Sequence, residues 1–182
     1  MMEYDLKILK VEESANLAWE FTKKSADLWH KLNPWAKSEC TRIYYIQVWD
    51  APKIHTGLTS LEATKLKTKK PTEDHWTIPQ FTAWMMLENP DVFLVDKEVF
   101  IKIFKFNCGV IWVTSDENTA LSKYTSKTDK TIKCSFDERY RKENIQLFLE
   151  GGGNIDIDSA MKLLNPPAEY LEIQQKYING TI

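Results

Sequence analysis

The segment "TEDHWTIPQ", residues 72–80, sets a carboxylate beside an imidazole at Asp74 and His75. A neutral imidazole, with an ordinary pKa near 6.5, accepts a proton at neutral pH, and an adjacent carboxylate can hold a divalent ion. Those are two of the parts that phosphodiester hydrolysis requires, a base to activate water and a cation to stabilise the departing oxygen. Three further oxygen donors, Asp116, Glu117 and Asn118, follow the apolar run "GVIWVT" at 109–114 and suit a hard cation such as Mg²⁺. Lys65, Lys67, Lys69 and Lys70 stand just ahead of the Asp-His pair, where cations serve to track a phosphate backbone.

Each of these residues also has a plainer reading. His75 suits a polar turn or a helix cap, Asp116 and Glu117 suit the first turn of a helix, where the dipole favours negative charge, and the lysine run suits a solvated face. His30 is expected at the end of a helix and His55 in a loop. Trp76, Trp84 and Trp112 are expected in the core, since only a run of exposed aromatics would suggest base stacking.

The elements that must position these residues follow from periodicity. Leu17, Ala18, Phe21, Leu28, Trp29 and Leu32 recur at helical steps, which predicts a helix over 12–32 ended by Asn33-Pro34. "TRIYYIQVW" (41–49) is rich in β-branched and aromatic residues and predicts a strand before the turn "DAPK". A short helix capped by Thr59 or Ser60 precedes the lysines, and helices are expected over 78–89 and from Asp96 to Asn107. "GVIWVT" predicts a strand feeding a helix that begins at Ser115 or Asp116. Beyond a polar loop at 125–133, residues 135–150 predict a helix ending at Gly151-Gly152-Gly153, followed by a short helical pair divided by Pro166-Pro167. The glycines divide a main α+β domain, 1–150, carrying a candidate finger at 72–125, from a C-terminal helical appendage, 151–182, that must pack on the domain or on a second copy of the chain to cover Tyr170, Leu171 and Ile173, and docking on the main body is expected.

Composition narrows the class further. With 182 residues and 43% hydrophobic content the chain can bury a core unaided, and a net charge of -2 argues against wholesale polyanion binding, leaving only a local basic face. Cys40, Cys108 and Cys134 are widely spaced and form no C-x-x-C pair, which predicts neither a disulfide framework nor a zinc knuckle. The N-terminus has no signal-peptide pattern and no apolar run nears the roughly 20 residues of a membrane span, so an intracellular, cytoplasmic protein without a membrane partner is expected.

Between Asp74 and Asn118 the chain resembles the HNH or His-Me finger endonucleases, whose ββα site places Asp-His on a first strand and Asn on a helix. The matching residues are Asp74, His75 and Pro79, then "VIWV" and "TSDEN", with Asn107 ahead of the second strand and Thr114 and Glu117 where that family often carries structural cysteines. Two helical segments replace the family's glycine-rich loop. The resemblance implies that His75 is the general base and that Asp74 and Asn118 hold a divalent metal, Mg²⁺, in a helix-rich α+β domain with a small β element and a ββα-like finger. It implies a metal-dependent nuclease, with DNA ahead of RNA as partner and Lys65, Lys67, Lys69 and Lys70 on the phosphates. The small size and the Lys, Asn and Ile content suit a virus-encoded chain, as in a phage, and self-association into a homo-oligomer is compatible with the sequence. The rival readings are a non-catalytic interaction protein and a nucleic-acid-binding module without hydrolysis, using Lys65–Lys70 and Lys123–Lys133 as a phosphate-contacting face.

Overall fold

The computed structural model describes residues 2–124 and 135–179. Its first element, α1 (Met2–Leu28), buries Val11, Ala15, Ala18, Trp19, Thr22 and Ser25 along one stripe, while Leu17 and Leu28 of the expected apolar face are exposed. A 3₁₀ turn at Trp29–Lys31 leads to α2 (Pro34–Asp50), which Asn33 caps by accepting from the Ala36 amide at 2.9 Å, with Pro34 at the first helical position. Asn33-Pro34 therefore ends one helix and starts the next. The strand expected over 41–49 is instead helical. Thr41, Tyr44 and Val48 are its buried residues, a helical stripe whose packing outweighs the β preference of the Tyr, Ile and Val side chains.

The remaining elements are β1 (Ile54–Ser60), α3 (Leu61–Thr64), β2 (Thr72–His75), α4 (Pro79–Glu88), α5 (Pro90–Phe93), α6 (Lys97–Asn107), β3 (Gly109–Val113), α7 (Ser115–Ser122), α8 (Phe136–Lys142), β4 (Leu147–Leu149), β5 (Gly153–Ile155), α9 (Ile157–Leu164) and α10 (Ala168–Ile178). The helix expected over 135–150 stops at Lys142, and after Asn144 turns at positive φ the chain becomes β4. Gly151 and Gly153 take φ of +75° and +91° in the turn between β4 and β5, a conformation that side-chain-bearing residues rarely adopt. The segment beyond the glycines contributes β5 to the sheet and Ala160, Tyr170 and Ile173 to the core. The 125–133 loop lies outside the described residues.

The fold is a helix-rich α+β domain around a mixed sheet of order β2-β3-β1-β4-β5, in which only β1 and β3 run parallel. Side chains alternate across each strand. Leu58, Ser60, Ile111, Val113 and Leu147 point to one face and are buried there, and the hydrophobic ones join Phe136 and Tyr140 of α8 in the core. The opposite face is covered only in part, and it carries the residues of interest.

Candidate site on the open face of the sheet

Strand register places two rows of side chains on this face. One runs across three strands as His75, Val110 and His55; the other crosses all five as Glu73, Trp112, Thr59, Phe148 and Asn154. Neighbouring strands lie about 4.8 Å apart, so the two histidines flank Val110 with their backbones roughly 10 Å apart. His55, expected in a loop, is thus a strand residue, and its ring lies 4.0 Å from that of Trp112.

The orientation of His75 is fixed by a backbone carbonyl. Its Nδ1 lies 2.8 Å from the Asn107 oxygen, which can only accept, so Nδ1 carries the proton and the neutral ring presents Nε2 as a bare lone pair. Nε2 has no hydrogen-bond partner and no solvent-exposed area. Burial lowers the His75 pKa, the Asn107 bond opposes this, and nearby Lys53 adds to the lowering. The ring is therefore neutral at neutral pH. Trp49, 53% exposed at the end of α2, shields it with ring centroids 5.8 Å apart.

Asn107 is the hub that holds this carbonyl in place. Its Oδ1 accepts from the hydroxyls of Thr77 and, at 3.0 Å, Thr82, while its Nδ2 donates to the Tyr44 hydroxyl at 3.2 Å and the Ile103 carbonyl at 2.9 Å. All four side-chain bonds of a fully buried amide are thereby used, tying the end of α6 to α2, α4 and the loop after β2.

His55 adopts the opposite tautomer. Its Nδ1 accepts from the Gly57 amide at 3.2 Å, which leaves the proton of the neutral ring on Nε2, also without a partner. Burial lowers this pKa too, against the raising influence of Glu150 and Glu73. The row thus offers a bare acceptor at one end and an unpaired N–H at the other.

Asp74 points the other way. Facing the core beside Ile111, its Oδ2 accepts from Arg139 Nη2 at 2.8 Å and from the Tyr140 hydroxyl. The pair is buried, with side chains 10% and 4% exposed, and Arg139 also donates to the His75 and Trp76 carbonyls at 2.6 and 3.1 Å. Burial first, and then the Asp74 charge, push the Tyr140 hydroxyl well up, so it remains a donor.

The expected β-strand to helix transition is present. β2 pairs antiparallel with β3, and α7 follows at once, beginning at Ser115 as expected, with Thr114 and not Ser115 as its cap. Glu117 closes a capping box with Thr114 and accepts from the Ser60 hydroxyl at 2.6 Å, which accounts for its carboxylate structurally. Asn118, half-buried in α7, leaves β3 from the end paired with Thr72, whereas His75 pairs with Val110 at the other end, about 10 Å along the strand. Leu121 of α7 buries in the core shared by Ile111 and Val113, the side to which Asp74 points.

Asp74, His75 and Asn118 therefore do not fit a single divalent ion in the arrangement that the resemblance implies. Asp74 is committed to Arg139 and Tyr140 on the face opposite the His75 ring. Among the described residues, no group of three or more His, Cys, Asp or Glu side chains is placed to hold a metal ion.

Lys65, Lys67, Lys69 and Lys70 are exposed on the loop between α3 and β2, and Lys65 pairs with Glu62 at 2.5 Å. Lys123, named with them for phosphate contact, pairs instead with Glu143 at 2.6 Å. The ends of the lysine loop, Thr64 and Pro71, line a depression of about 270 Å³ with Thr59, Trp112, Phe148 and Glu150. Trp112, expected in the core, is 39% exposed, because its strand partner Glu73 faces solvent while Ile111 and Val113 face inward. The uniformly apolar run "GVIWV" carried no sign of this, since Val110, two residues away on the same face, is fully buried.

Compared with known proteins, the chain matches no family model, no curated protein and no solved structure. No helix among the described residues is long and apolar enough to cross a membrane.

Proposed function

We propose that the chain is a nuclease that hydrolyses phosphodiester bonds with His75 as general base. One observation carries the reading: the Nδ1–H bond to the Asn107 carbonyl at 2.8 Å, which leaves a buried Nε2 unprotonated and without a partner in a ring that Trp49 packs against. A base must be neutral at working pH and have its proton-accepting atom free, and burial supplies the first condition while the carbonyl supplies the second. Rotation of the exposed Trp49 side chain admits water to Nε2, and His75 takes a proton from that water as its oxygen bonds to phosphorus; the P–O ester bond opposite breaks, the departing alkoxide takes a proton from solvent, and the imidazolium returns its proton to solvent. His55, with its N–H buried and unpaired on the same row against the Trp112 ring, donates a hydrogen bond to the phosphoryl oxygen once substrate displaces that cover; a neutral imidazole is an effective donor of this kind. The two tautomers divide the labour between proton acceptance and charge stabilisation. No step is routed through a metal, because Asp74 and Asn118 do not converge on His75.

The test is cleavage of labelled DNA and RNA, single-stranded and duplex, by wild type and by His75→Ala, each with divalent cation and with chelator. The expected outcome is cleavage by wild type and a loss of about 10² to 10⁴ in rate for His75→Ala with the fold unchanged. Equal rates, or no cleavage of any substrate by wild type, would overturn the proposal.

A further inference from the structure

We infer that the open sheet face binds an unpaired nucleic-acid strand, with Trp112 and Phe148 stacking on its bases and the lysines of the 65–71 loop meeting its backbone. This deepens the nuclease reading by naming the substrate as single-stranded. Trp112 and Phe148 lie in one row on either side of Thr59, two strand spacings or roughly 10 Å apart, and both line the depression beside the lysine loop. An exposed aromatic on a sheet offers its ring to any base, whereas a paired base inside a duplex has no free face to give.

Charge on this surface is arranged for the same orientation. Glu73, on the edge strand β2, and Glu150, just past β4, stand at either side of the aromatic row and disfavour phosphates over its centre. Lys67, Lys69 and Lys70 are exposed and form no salt bridge among the described residues, on a loop whose ends border the same depression. The bases are thus drawn to the rings and the backbone to the loop. The buried, unpartnered Nε2 atoms of His75 and His55 occupy the adjoining row, on the side of the aromatics away from the lysine loop, with His55 in ring contact with Trp112.

The experiment is fluorescence anisotropy with fluorescein-labelled oligonucleotides, single strands of either sugar and the corresponding duplex, on the full chain carrying His75→Ala so that nothing is cut. Single strands of at least one sugar are expected to bind at least tenfold more tightly than duplex. Trp112→Ala is expected to weaken binding about tenfold, and Trp112→Phe to retain it. Trp112 is exposed, so its replacement leaves the fold intact. Replacing Lys67, Lys69 and Lys70 with Gln is expected to lower the slope of log affinity against log salt by about 2. Duplex binding as tight as single strand, or unchanged binding by Trp112→Ala, overturns the inference. Tight single-strand binding without cleavage by the wild type would leave it standing and remove only the catalytic reading.

Discussion

Neutralising Asp74 separates a structural role from a metal-binding one. In Asp74→Asn the Arg139 guanidinium loses its carboxylate at 2.8 Å while staying buried, with only the His75, Trp76 and Phe136 carbonyls left to it. The two side chains are 4% and 10% exposed, so solvent screens the pair little, and breaking a buried pair of this kind costs about 3 to 5 kcal/mol. That is a large part of the roughly 5 to 15 kcal/mol that holds a domain folded. With a urea dependence near 3 kcal/mol per molar, the midpoint of unfolding should fall by about 1 to 2 M. The assay is urea denaturation followed by tryptophan fluorescence, in chelator throughout. A carboxylate whose task is to hold a cation would lose nothing when neutralised under those conditions. An unchanged midpoint for Asp74→Asn would therefore refute the assignment of Asp74 to the fold.

Three other expectations follow from the same geometry. Asn107→Leu removes both hydrogen-bonding atoms from the hub and strands the Thr77 and Tyr44 hydroxyls, while the Thr82 hydroxyl keeps the Ile78 carbonyl, for a loss of about 2 to 3 kcal/mol that thermal or urea unfolding would register. Glu117→Ala opens the capping box and frees the Ser60 hydroxyl, at a cost of about 1 to 2 kcal/mol in the same assay. His75 and His55 both have folded pKa values below the ordinary 6.5, so the unfolded chain takes up protons first on acidification. Their contribution to stability is complete above about 6.5 and is lost as pH falls through their folded values, and the cleavage rate should fall across the same acidic window as His75 titrates. A rate that rises on acidification through that window would contradict the assignment of His75 as base.

Local signals in the chain identified the elements around the site better than they identified its faces. "GVIWVT" and the acidic turn after it announce a strand and a helix start, because β-branched residues and a capping box act within a few residues. Residues 41–49 misled because their buried positions, 41, 44 and 48, follow a helical step that only the packing of α2 against α1 and α4 makes decisive. Asp74 and His75 were legible as a pair but not as neighbours pointing to opposite faces, since that depended on β2 being a strand. The partner of Asp74 lies 65 residues away in α8, a separation over which no local pattern speaks. The same holds for His55 and Trp112, which become site residues only when β1 and β3 lie side by side.

The state of the His75 ring is the most direct test of the central claim. Long-range proton–nitrogen NMR correlation on the folded protein reads which imidazole nitrogen carries the proton, and a pH titration reads when the second one gains it. The geometry requires Nδ1 protonated and Nε2 bare at neutral pH, with a titration midpoint below that of an ordinary histidine. A proton found on Nε2 at neutral pH, on either the neutral or the charged ring, would contradict the account, because His75 would then have no free acceptor with which to activate water.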